Sequence, residues 1–154
     1  MFALDTTDIL ITPVAKVIKT TNSGKPDSLR DYREQCARFS KGQPMCWDDA
    51  AQNKTKVGDI FGFCNKNDED VTIHRVEAVQ DPSHRLPSWS ENVGQQKRNV
   101  LILSCPLCVI PWSDWITFDW HPNGLQGTQR VAKSQSRIKM IQYINTILRS
   151  GTEV

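Results

Sequence analysis

Four of the five tryptophans, Trp89, Trp112, Trp115 and Trp120, fall in one stretch of the chain. An indole ring is large, flat and π-rich, and leaving it in water is costly unless it packs or binds something. Hydrogen-bonding residues accompany these rings: Ser88, Ser90, Asn92, Arg98, Asn99, Ser113 and Asp114. Rings for stacking beside fixed donors and acceptors are what a nucleobase site needs. Stacking contributes roughly 1–3 kcal/mol per base. Trp89 and Trp112 are therefore the first candidate ring contacts, with Trp115 next. Ser90, Asn92, Asn99 and Asp114 are the candidate readers of the base edge, since an amide both donates and accepts and an ionised carboxylate only accepts. The plainer alternative is that the same rings plug a core and the same polar residues cap turns.

A strand of nucleic acid also needs its phosphates met, and Lys97, Arg98, Arg130, Lys133 and Arg137 are the candidates, with Lys139 beside them. From His121 to Ser150 the chain carries Arg130, Lys133, Arg137, Lys139 and Arg149 and no Asp or Glu. The acids Asp48, Asp49, Asp68, Glu69 and Asp70 gather earlier. This asymmetry is the footprint of an anionic partner, here RNA or DNA; the competing reading is a solvated helix face. Gly124, Gln126 and Gly127 precede Arg130 in a loop whose amides can face a phosphate, although it has neither the Walker nor the dinucleotide pattern. A net charge of only +2 argues against a purely electrostatic, histone-like binder.

Cys105-Pro106-Leu107-Cys108 has the spacing of a zinc knuckle or a redox pair. A structural zinc takes four ligands. No second such pair exists, and Cys36, Cys46, Cys64, His74, His84 and His121 are scattered, so packed free thiols are expected, with no metal and no cofactor. No Gly-x-Ser-x-Gly, His-Glu-x-x-His or zinc-deaminase pattern appears. His74 falls in a strand and reads as structural. His84 and His121 fall in loops and, with Asp114, would be the acid–base groups of a small nuclease or base-acting hydrolase. That alternative stays open because such groups assemble in space. A protein-interaction or structural component is a third reading, tryptophan and arginine being interface residues too.

The elements that must position these residues follow from pattern. Asp8 to Ile18 is rich in β-branched residues and reads as a strand, interrupted at Pro13. Asp27 can cap a helix to about Phe39 with Leu29, Tyr32, Cys36 and Phe39 on its apolar face. Asp48 to Lys56 reads as a second helix or a loop. Val57–Cys64 and Val71–Val79 flank the turn-forming Asn65–Asp70 and predict an antiparallel hairpin. Asn99–Ser104 is a buried strand. Pro106 and Pro111 flank a loop, Trp112–Trp115 is a turn or short helix, and Ile116–Phe118 a short strand. A closing helix runs from about 134 to 149, with Ile138, Ile141, Ile144 and Leu148 as its stripe and Gly151 at its end. The class is α+β: a small curved antiparallel sheet or barrel with flanking helices. The 154 residues suit a single domain. No run is long enough for a membrane span and no signal peptide is evident, so a soluble, intracellular protein is expected. Oligomeric state leaves no mark in the sequence.

The segment Lys56-Val57-Gly58-Asp59-Ile60-Phe61-Gly62-Phe63, preceded by Trp47, resembles the Gly-Asp turn and barrel strand of PUA-like domains, particularly the EVE type. Val71–Val79 and Arg98–Leu103 are similar to further strands of that barrel. The resemblance covers about residues 8 to 130 as an order of elements. It implies a PUA-like β-barrel with a pocket in its wall for a flipped or single-stranded base, often a modified one. The Gly-x-Lys-x-x-Glu-x-Arg pattern of the related ASCH family and a YTH signature are not found.

Overall fold

A computed structural model describes residues 1–14, 28–84, 98–122 and 127–152. The first strand, β1 (Ile9–Val14), is buried at every position. Successive side chains of a strand face opposite sides, so such a run needs cover on both faces. Ile9 and Ile11 join one core cluster, and Leu10 and Val14 join another. β3 (Ile60–Asn65) divides in the same way, with Ile60 and Cys64 on the first side and Phe61 and Phe63 on the second.

β3 and β4 (Asp70–Gln80) form the expected antiparallel hairpin. Its turn is built by Asn65, whose Oδ1 accepts the Asn67 and Asp68 amides at 3.0 and 3.3 Å while its Nδ2 donates to Asp68 at 2.9 Å. The strand order is β2 (Met45–Ala50), β5 (Arg98–Leu103), β4, β3, β1, β7 (Gln129–Arg130), with β6 (Cys108–Pro111) paired to β4. β1 and β3 run parallel, so the sheet is mixed where an antiparallel one was expected. A register shift between Val76 and Ala78 divides β4, a bulge of the kind that bends a strand.

Residues of β1 to β5 meet in a single cluster, which places them on the concave side of a curled sheet. Phe63 is the hub. Its ring lies 4.7 Å from Tyr32, 4.9 Å from Trp47, 5.4 Å from Phe61 and 5.4 Å from His74, centroid to centroid. Tyr32 comes from α1 (Ser28–Ser40), which is tied to β2 where Gln35 Oε1 accepts the Cys46 amide at 2.9 Å. The convex side is covered by α3 (Ser134–Thr152), whose Met140, Ile141 and Ile144 pack with Trp115 and Phe118.

Several expectations are corrected. Residues 48–50 are strand, because β2 gains its ladder from β5, and only Ala51–Asn53 form a 3-10 turn. Part of the loop between the prolines is β6, held by pairing with β4. Ile116–Phe118 is 3-10 helix following α2 (Trp112–Trp115), since the turn continues where a strand would have had no partner. Phe39 is 40% exposed and leaves the apolar face of α1. Residues 15–18 of the expected first strand, and Asp27, lie outside the described residues.

Candidate functional site

β2 and β7 are the two ends of the strand order, and the segment following β2 meets β7 across a seam. Arg130 of β7 donates from Nη2 to the Asn53 carbonyl, and its Nη1 lies 2.8 Å from Asp8 Oδ2. Lys56 Nζ reaches Asp59 at 2.8 Å and Asp8 at 3.1 Å. Its bond to Asp59, and then that to Asp8, hold Lys56 above its usual value. Burial pushes Asp8 up, but Lys56 and Arg130 outweigh it and leave the carboxyl below its usual value.

The segment between β2 and β3 is shaped by Asp49, which is 2% exposed. It accepts Asn53 Nδ2 at 2.7 Å and Thr55 Oγ1 at 2.6 Å. Burial raises its carboxyl above the usual value, against the pull of those two bonds and of Arg130 and Arg98. Lys54, at φ 53°, turns the chain between the two donors.

A cleft of about 580 Å³ opens here, with Asp48, Ala51, Gln52, Asn53, Arg98 and Thr128 among its walls. Pockets for small ligands span roughly 300–1,000 Å³, so a nucleoside-sized group fits. Arg98 Nη1 and Asp48 Oδ2 lie 3.8 Å apart. The walls offer amides, a hydroxyl, a carboxylate and a guanidinium, which together donate to carbonyl oxygens and accept from ring or exocyclic N–H groups.

The sequence-derived site residues divide. Trp89, Ser90, Asn92 and Lys97 lie outside the described residues. Arg98 lines the cleft, Arg130 spans the seam, and Asn99 pairs with Asp49 between β5 and β2. Trp115 is corrected: it is 0% exposed, packed edge-on against Phe118 and Trp120 at 5.9 and 6.3 Å, and so belongs to the core. Trp112 is half-buried, its ring 5.7 Å from that of His121, and it does not line the cleft. Asp114 accepts the Tyr143 hydroxyl at 2.7 Å and braces α2 against α3. Lys133 pairs with Asp119 at 2.7 Å. Arg137 donates to the carbonyls of Leu4 and Thr7 at 2.7 and 3.0 Å, holding the residues before β1 against α3.

Exposed His84 and His121 do not line the cleft. Cys105 is exposed, and burial pushes Cys108 up to about 11. Among the described residues no group of three or more His, Cys, Asp or Glu side chains is placed to hold a metal ion. Sequence reasoning missed Asp48, Gln52 and Asn53 as cleft walls. The available signal was the clustering of acids, amides and Thr55 in a segment read as helix or loop.

No protein-family model matches the sequence, and no curated protein matches it. Solved structures do share its fold. A serine-to-alanine variant of the ASCH protein from Zymomonas mobilis superposes with a TM-score of 0.53 at 11% identity, over 88% of this chain and 95% of that one. A tyrosine-to-phenylalanine variant of the same protein gives 0.51 at 12% identity, over 87% and 96%. The fold is thus an α+β one with a curled, mixed sheet, shared with these ASCH structures. Among the described residues no helix is long and apolar enough to cross a membrane.

Proposed function

We propose that this chain is a nucleic-acid-binding module that admits one unstacked base, modified or not, into the seam cleft. The cleft itself carries the reading: a nucleoside-sized space between the two ends of a PUA-like sheet, walled by groups that read a base edge. Gln52, Asn53 and Thr128 supply neutral donors and acceptors, and Arg98 and Asp48 a charged pair. Trp112, half-exposed beside His121 and partly packed on the core, is a ring outside the cleft on which another base of the strand would stack. Kinship with ASCH-type folds supports the reading at the level of architecture. EVE-type kinship is supported by the Gly58–Asp59 turn alone.

The test is a titration of single-stranded RNA and DNA oligonucleotides, with and without modified bases, followed by fluorescence anisotropy. Ala51 is exposed on the cleft wall, so Ala51→Trp fills the space without disturbing the core. It should weaken binding at least about tenfold, or 1.4 kcal/mol, with the melting temperature unchanged. Trp112→Ala should cost roughly 1–3 kcal/mol of binding through lost stacking. Binding that ignores Ala51→Trp removes the cleft from the proposal.

A further inference from the structure

The charges at the seam are matched one to another. Arg98 faces Asp48 at 3.8 Å, Arg130 faces Asp8 at 2.8 Å, and Lys56 faces Asp59 at 2.8 Å. Asp49 lies buried behind the wall with its oxygens bonded to Asn53 and Thr55. Lys54, which follows the wall residue Asn53, is exposed and, among the described residues, has no carboxylate within ion-pair reach. Counting these eight side chains, the seam is neutral.

A phosphate entering such a cleft would meet Asp48 beside Arg98. It would have to break an ion pair for each cation it gained, while facing carboxylate repulsion in a site poorer in water than the surface. An uncharged base meets no such obstacle. It can donate to Asn53 Oδ1, exchange hydrogen bonds with Gln52 and Thr128, and leave the Arg98–Asp48 pair intact. Elsewhere, Lys133 is held by Asp119 and Arg137 by the carbonyls of Leu4 and Thr7, so neither adds a ready phosphate contact.

We infer that the cleft selects the uncharged base of a nucleotide and keeps the phosphates outside, with Lys54, next to the wall residue Asn53, as the one backbone contact among the described residues beside it. This rests on the reading of the cleft as a base site and specifies which part of the ligand enters it. The consequence is an affinity that barely responds to salt, unlike that of most nucleic-acid binders.

The experiment measures binding of a fluorescein-labelled, mixed-sequence single-stranded RNA octamer to the full chain between about 50 and about 400 mM KCl. One phosphate contact predicts a slope of about −0.7 and hence an affinity loss of about 4-fold over that range. Four contacts would give a loss of roughly 300-fold. The expected loss is about 4-fold or less, falling to almost none in Lys54→Gln. Inorganic phosphate added at about 10 mM and fixed ionic strength should displace no RNA. A loss clearly above about 4-fold, or displacement by inorganic phosphate, overturns the inference while leaving nucleic-acid binding in place. Failure of the octamer to bind even at the lowest salt refutes the base-site reading itself, and this inference with it.

Discussion

His74 is fully buried in β4, packed edge-on against Phe63. Its Nδ1 lies 2.9 Å from the Ser104 carbonyl, so that nitrogen carries the proton and donates. Nε2 has no hydrogen-bond partner among the described residues. Protonating it would bury a charge and an unmet donor, and burial accordingly lowers the imidazole below its usual value of 6.5 against the pull of the Ser104 bond. The unfolded chain then binds the proton more readily than the folded one. Stability is full above about pH 6.5 and falls as the pH drops toward the folded value, by at most about 1.4 kcal/mol per pH unit. Urea unfolding between pH 7.5 and pH 5 should show this decline, and His74→Gln should flatten it; an unchanged slope in the variant would assign the decline to other groups. The tryptophans teach a related lesson. Trp112 and Trp115 share a residue type and a tetrapeptide, yet one is half-exposed beside His121 and the other is interior. Trp115 enters the cluster under α3 while Trp112 packs only partly against it, and the contacts that seat α2 there, the Asp114–Tyr143 bond among them, come from residues distant in sequence.

Elements were legible where local chemistry alone determines them. Asn65 can build its turn from its own side chain, and so the β3–β4 hairpin could be read directly. The stripe on α3 is likewise local. β2 was hidden because Asp48 and Asp49 disfavour a strand in isolation, and the ladder to β5 overrides that preference. β6 and β7, four and two residues long, exist only through partners distant in sequence. The Gly58–Asp59 turn was legible as a motif, and its geometry explains the glycine. Gly58 sits at φ 93°, its amide donating to the Val76 carbonyl at 2.9 Å, while the Asp59 carbonyl accepts the Val76 amide at 2.9 Å. No atom lies within 4 Å of where a Cβ would stand, so a side chain there strains only the backbone. Gly58→Ala should destabilise by about 1–2 kcal/mol in chemical denaturation, and Gly58→Asn by less, because asparagine tolerates positive φ. Equal losses from both variants would point to a steric cause instead.

At the scale of the molecule, the α+β class with a curled sheet was recoverable from the sequence, and the meeting of β2 with β7 was not. The cleft exists only because those ends approach each other, through Arg130 and the Asn53 carbonyl. Arg98 and Arg130 were recognised as cations of interest, but their carboxylate partners come from residues remote in the chain. The place of β1 in the sheet has a separate consequence, for biosynthesis. This strand leaves the ribosome before either of its neighbours, β3 alongside it in parallel and β7 at the position where Leu10 faces Arg130. Until β3 is made a largely apolar segment, Ile9 to Val14, has neither edge occupied, and the edge that β7 will cover stays open for most of translation. Contacts this distant in sequence slow folding toward milliseconds to seconds, and an unoccupied strand edge invites mispairing in the interval. Chaperone supplements should therefore raise the soluble fraction in cell-free synthesis, and a yield indifferent to them would mean that β1 is sheltered early by some other part of the nascent chain.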